Sequence, residues 1–295
     1  MKCQYKHPLI GIDVCLEEAL SDSKEHYCIF HEQRKDKDVE EFYKKIAEKI
    51  EREDFDFTGY FFPIGIPFKG IEFTKEARFT GATFAEGVSF WDSIFTKKAD
   101  FTSAKFAEKA IFFGARFTEE AYFGFAKFTK RSIFVDAIFT KEAYFRGVEF
   151  KEEAAFNSTN FIKEVNFGNA TFIGETDFEG ATFTGEADFT DATFKAKANF
   201  RGATFTETAD FVGVTFTEEA DFEYVRFTKE TYFSFANFEE KVGFKTAEFI
   251  ANAKFYNAEF KEKAEFSGAK FLGITDFTNA CFKKEVSFGF TFFFG

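Results

Sequence analysis

The stretch Ala187-Asp188-Phe189-Thr190-Asp191-Ala192-Thr193-Phe194-Lys195-Ala196-Lys197-Ala198-Asn199-Phe200 decides the fold of this chain. Its lattice positions Phe189, Phe194 and Phe200 stand five and then six residues apart, and that alternation runs unbroken from Phe57 to Phe293. It places 44 of the 54 phenylalanines on one lattice. Self-similarity at a short fixed period marks a solenoid, in which each unit buries its apolar side only against its neighbours.

Two residues before nearly every lattice Phe stands a small or β-branched residue, such as Ala187, Ala192, Ala198, Val165 or Val214. A mean period of 5.5 does not fit a helical face. An apolar pair at i−2 and i does fit one side of a short strand, because alternate strand residues share a side. Ala and Phe therefore face inward, and a turn separates each pair from the next. Coils stacked at the ~4.8 Å strand spacing put each Phe under another, in ladders of offset-stacked rings. The extra residue in every eleven stays at fixed corners only if the coil has an even number of sides. Four sides of 22 residues in all are expected, giving about 11 coils and a rod ~50 Å long. Short corners such as Thr80-Gly81-Ala82 and Gly168-Asn169-Ala170 hold turn formers that tolerate positive φ. Long corners such as Thr118-Glu119-Glu120 and Lys261-Glu262-Lys263 hold solvated charges.

The triplets Ala99-Asp100-Phe101, Ala187-Asp188-Phe189, Ala198-Asn199-Phe200 and Ala209-Asp210-Phe211 resemble the pentapeptide-repeat family, whose consensus is A-(D/N)-(L/F)-x-x. The resemblance covers residues 57–293. This chain departs from the family pattern in using Phe throughout and in giving every second repeat six residues. The resemblance implies a right-handed quadrilateral β-helix. The expected architecture is an all-β solenoid over 55–295, preceded by a small unit over 1–54 with a helical, zinc-like cap.

That first unit carries Cys3, Cys15 and Cys28 and all three histidines. Cys3, Cys15, Cys28 and His31 have the spacing C-x11-C-x12-C-x2-H. Three thiolates and an imidazole suit a tetrahedral Zn²⁺, and a segment with so little core needs such a staple. One structural zinc is expected there, with His7 able to replace one cysteine; the alternative is three ordinary reduced thiols. Residues 38–52 read as an amphipathic helix with Asp36 or Asp38 as N-cap. Val39, Phe42, Tyr43, Ile46 and Ile50 fall at helical spacing, and the helix is expected to cover the open end of the solenoid.

The net charge of −12 argues against direct nucleic-acid binding and permits a basic protein partner. Asp177, Asp188, Asp210 and Asp221 fall in two stacked columns, one passing through Asn199. Such a ladder resembles phosphates, and some pentapeptide-repeat proteins resemble duplex DNA and bind type II topoisomerases as mimics. Against this, Asp or Asn is the family consensus at that place, and Lys195, Lys197, Arg201 and Arg226 are interspersed. There is no Ser-His-Asp order, Gly-rich phosphate loop or H-E-x-x-H. The chain therefore reads as a non-enzymatic, protein-binding scaffold, with a DNA-mimicking inhibitor or protector of a type II topoisomerase as the alternative. Phe290, Phe292 and Phe294 lie off the lattice and make an apolar C-terminal end, from which an end-to-end homodimer is expected. No secretory h-region and no run of 18 apolar residues is present, and four cysteines make no disulfide framework. The expected location is the cytoplasm, without membrane insertion.

Overall fold

The structure is a computed structural model that describes residues 1–6, 11 and 15–294. From residue 61 onward the chain winds through four parallel sheets of two-residue strands, with eleven strands in two sheets and ten in the other two. Following the chain round one coil, face I runs from Phe61–Phe62 to Cys281–Phe282, and face II from Val88–Ser89 to Val286–Ser287. Face III runs from Glu72–Phe73 to Phe292–Phe293, and face IV from Ala77–Arg78 to Thr275–Asp276. Single bridges, Asp56 to Arg78 and Pro67 to Ser89, extend faces IV and II into the first coil. Partners are 22 residues apart throughout, as in Ala187↔Ala209 and Thr193↔Thr215. The four-sided coil read from the sequence is the one observed.

The inward residues carry the packing. Ala187, Phe189, Ala192, Phe194, Ala198 and Phe200 are at most 1% exposed. Each lattice ring lies nearly parallel to the ring one coil away: Phe178 and Phe200 at 5.0 Å, Phe183 and Phe205 at 4.4 Å. Rings of neighbouring ladders meet edge to face, as Phe178 and Phe189 do at 5.7 Å and 87°. Both arrangements suit the ring quadrupole. Where Ser or Thr replaces the small i−2 residue, its hydroxyl can turn back to a main-chain acceptor. Ser93 Oγ donates to Phe68 O at 2.6 Å and Thr159 Oγ1 to Phe134 O at 2.8 Å.

The two corner types differ as their sequences require. At a short corner the chain closes a β-turn, with Ala82 N–H donating to Phe79 O at 3.0 Å and Gly81 at φ 65°. Positive φ at the third turn residue is the signature of type II and favours Gly. At a long corner the main chain bonds to adjacent coils instead, as Ala85 N–H does to Phe62 O and Val88 N–H to Lys109 O. One departure from expectation is that bulky Phe125, Tyr224, Phe235 and Phe290 also adopt positive φ at short corners. The stacking register forces that conformation on whatever residue occupies the place.

A single helix among the described residues, α1 (Val39–Glu51), lies across the first coil. Asp38 is its N-cap, accepting from Glu41 N–H at 2.9 Å. Phe42 and Ile46 are buried, and Phe42 meets Phe62 edge to face at 5.7 Å. Tyr43, expected on the same stripe, is instead 45% exposed, because one residue further along a helix turns about 100° away. The buried core is continuous from Cys3 and Cys28 through Phe42 and Phe57 to Phe271.

Replacing Phe200 with Ala should destabilise the protein by about 3–5 kcal/mol, the usual range for truncating a buried Phe. Replacing exposed Lys197 with Ala should change stability little. Denaturant titration of both variants tests the inward and outward assignment, and equal effects would refute it.

Candidate functional site

The first unit contains hardly any regular structure, and short main-chain pairings hold its shape. Cys3 N–H donates to Glu17 O, Ala19 N–H to Met1 O and Leu20 N–H to Tyr27 O. A helical turn follows, with His31 N–H and Glu32 N–H both donating to Cys28 O. These pairings bring together residues that the linear spacing leaves far apart. The ligand atoms of Cys3, Cys15, Cys28 and His31 all lie within 4.8 Å of one another.

The shorter separations are near those of a tetrahedron's edges. Cys15 Sγ is 3.6 Å from Cys28 Sγ, while His31 Nδ1 is 3.2 Å from Cys28 Sγ and 3.6 Å from Cys3 Sγ. Metal–sulfur bonds of about 2.3 Å and a metal–nitrogen bond of about 2.0 Å would set such edges at roughly 3.5–3.8 Å. His31 Nε2 sits 3.1 Å from Thr58 O, so that nitrogen carries the proton and Nδ1 offers its lone pair. Tyr5 stacks on the imidazole at 3.9 Å. Cys28 N–H points at Cys3 Sγ at 3.2 Å, a donor suited to a thiolate. The neighbouring Cys15 thiol and burial push the Cys28 thiol up to about 12, and burial raises Cys3. A bound cation is what would let such crowded thiols ionise. The group can hold a metal ion, and it comprises the four residues expected. His7, the alternative ligand, lies outside the described residues.

The site also touches the first coil of the solenoid. Thr58 holds the place in coil one that Thr80 and Thr102 hold in the next two, whose carbonyls accept from Gly59 and Gly81. Its own carbonyl would accept from a preceding coil, and His31 supplies the donor instead. Thr83 N–H donates back to Tyr60 O in coil one, and Phe61 N–H in the same register finds Phe30 O at 2.8 Å. Lys37 Nζ donates to the carbonyl of that same Phe61 at 2.6 Å. Lys37 is buried, rests 4.4 Å above the Phe42 ring, and is pushed by burial down to about 7. The first unit thus stands in for a missing coil at three main-chain positions. Sequence reading missed Lys37 and Thr58. Lys37 lies in a charged run that reads as solvated, and a main-chain acceptor leaves no mark in the sequence.

The two aspartate columns are observed. Asp188 pairs in register with Asp210 on face IV, and Asp177, Asn199 and Asp221 align on the opposite face II. Each of these side chains uses one oxygen to accept the N–H two residues on: Asp177 from Glu179, Asp188 from Thr190, Asn199 from Arg201, Asp210 from Val212 and Asp221 from Glu223. The acid at this place therefore has a local structural role as an Asx turn. On face II cations stand beside part of the column: Arg201 lies 3.9 Å from Asp221 and 2.6 Å from Glu223, and Lys245 reaches Glu265 at 2.8 Å. Phe290, Phe292 and Phe294 lie exposed on the last coil, at 90%, 52% and 69%. Trp91 is 39% exposed, packed on Phe113 at 4.9 Å with Lys69 above it.

Pentapeptide repeats in nine copies are the description of the family model that matches residues 134–182 and 178–226. No curated protein matches the sequence significantly. The matched segments lie in the central coils of the solenoid. Among the described residues no helix is long and apolar enough to cross a membrane.

Proposed function

We propose that this pentapeptide-repeat solenoid is a non-enzymatic cytoplasmic scaffold that binds a protein partner on its regular faces, with its first coil closed by one structural zinc. The observation that carries the reading is the unbroken register: strand partners 22 residues apart hold outward side chains in straight columns along the rod. Such a surface is flat and rigid, and a partner meets it without reordering it. The grooves agree with this. One, of about 630 Å³, lies beside the first unit and mixes Lys49, Arg78 and Lys98 with Asp54, Glu76 and Asp100.

The rival reading makes Asp177, Asp188, Asp210 and Asp221 a phosphate-like ladder aimed at a type II topoisomerase. Their Asx turns and the cations of face II favour the scaffold instead. A supercoiling assay separates the two: the purified protein should leave topoisomerase activity unchanged at micromolar concentration, and inhibition there would replace the scaffold with the mimic.

Elemental analysis of protein purified under reducing conditions should find about one zinc per chain, lost in Cys28→Ser. Stripping the metal should speed amide exchange at Phe61 and leave Phe200 unaffected, because a repeat array opens locally from its ends. Intact protein without zinc would overturn this part of the reading.

Association through Phe290, Phe292 and Phe294 completes the proposal, and their exposure supports it. Light scattering at tens of micromolar should give the mass of a dimer for the chain as it stands and of a monomer for Phe292→Glu. A monomer in both cases would defeat the dimer.

A further inference from the structure

Phe125 and Phe235 are poorly suited to the places they hold. Both stand at the positive-φ position of the short corner between faces IV and I, at 57° and 60°. In the other coils that column holds only Gly, Ser, Asn or Asp. The two rings are 61% and 55% exposed. A bulky residue at positive φ is strained, and an exposed ring recovers little by burial. Neither turn chemistry nor the core accounts for them.

Each shares a coil with tyrosines of face IV. Tyr122 stacks on Tyr144 at 4.9 Å, three residues before Phe125 on the chain. Tyr232 precedes Phe235 by the same step, and Phe235 meets Tyr256 edge on at 5.6 Å. These aromatic groups already seat ammonium ions: Lys98 Nζ lies 4.3 Å from the Tyr122 ring and Lys254 Nζ 5.0 Å from Tyr232. Between the groups lie Glu164, Glu186, Asp188 and Asp210, lining one shallow groove. Among the described residues none of the four is in an ion pair, unlike the carboxylates Glu223 and Glu265 of the opposite side. Burial, with Asp188 beside it, raises the Asp210 carboxyl.

We propose that face IV, edged by Phe125 and Phe235, is the docking surface for a Lys- and Arg-rich segment of another protein. This deepens the scaffold reading and rests on it. The partner's cations lie over tyrosine rings as Lys98 and Lys254 do. Its central cations meet the unpaired carboxylates, and its aliphatic stems cover the exposed Phe rings. Charge complementarity of this kind speeds encounter and makes binding sensitive to salt. The same charge repels nucleic acid.

The test is fluorescence anisotropy with the full chain and fluorescein-labelled nona-arginine, with nona-glutamate and a DNA duplex as controls. Saturable binding of nona-arginine alone is expected, weakened by salt. In the double variant Phe125→Gly/Phe235→Gly it should weaken about fivefold or more, the range of two lost ring contacts. Glycine relieves the strained φ, so this variant keeps the fold. Tyr224→Gly is the matched control: it removes an equally strained exposed ring, φ 60°, from the corner between faces II and III, and should leave binding unchanged. No saturable binding, no loss in the double variant, equal loss in Tyr224→Gly, or binding of the duplex would each overturn the proposal. If a native partner binds the chain but ignores the face IV variants, the scaffold reading survives and the assignment of the face falls.

Discussion

Two spacings coincide in this protein, and the rest of the structure depends on their agreement. Paired strands sit about 4.8 Å apart, and aromatic rings stacked in parallel are comfortable at nearly the same distance. A Phe on one coil can therefore lie over a Phe on the next without bending the main chain, as Phe123 and Phe145 do at 4.8 Å with parallel planes. Every hydrogen bond that sets the register also sets a ring contact. The small residue two places earlier, Ala121 under Ala143, leaves room for the ladder. An insertion of one residue would turn a strand's inward side out, which explains why the alternation of five and six never slips.

The same agreement creates a difficulty at the ends. A coil without a neighbour presents open N–H and C=O groups to anything that can pair with them. At the first coil the answer is chemical rather than repetitive. His31, Phe30 and Lys37 supply a donor, an acceptor and a second donor where a preceding coil would have done so. The histidine is also a candidate metal ligand, so the group that could bind an ion and the group that closes the sheet are one residue. Burying a lysine is expensive unless it is satisfied, and Lys37 has the Phe61 carbonyl and the Phe42 ring.

The outward surface follows a different logic. Regular Asp and Asn along the faces look like a charge code, yet each one first serves its own turn by accepting the N–H two residues on. What distinguishes one face from another is what remains after that local duty. On face II Asp221 and the nearby Glu223 and Glu265 meet Arg201, Lys241 and Lys245. Among the described residues Asp188 and Asp210 of face IV have no such partner, and the exposed rings of Phe125 and Phe235 fall on the same side. Specificity on such a rod lies in the departures from the repeat rather than in the repeat itself.

The fold was legible in the sequence because a solenoid is nearly one-dimensional: the step from Phe189 to Phe194 to Phe200 states the coil's geometry, and each coil repeats it. The donor set Cys3, Cys15, Cys28 and His31 was legible as residue types suited to one ion, although the spacing between Cys3 and Cys15 carried no geometric information. Their convergence required the pairing of Cys3 with Glu17 and the turn after Cys28, contacts between parts of the chain that no local pattern links. The roles of Lys37 and Thr58 were decided by tertiary structure alone, since burial and a main-chain acceptor have no signature in residue type. The same holds for the strained φ of Phe125 and Phe235. Their sequence reads as ordinary phenylalanine, and only the stacking of coil on coil sets them at a glycine's place with their rings in water.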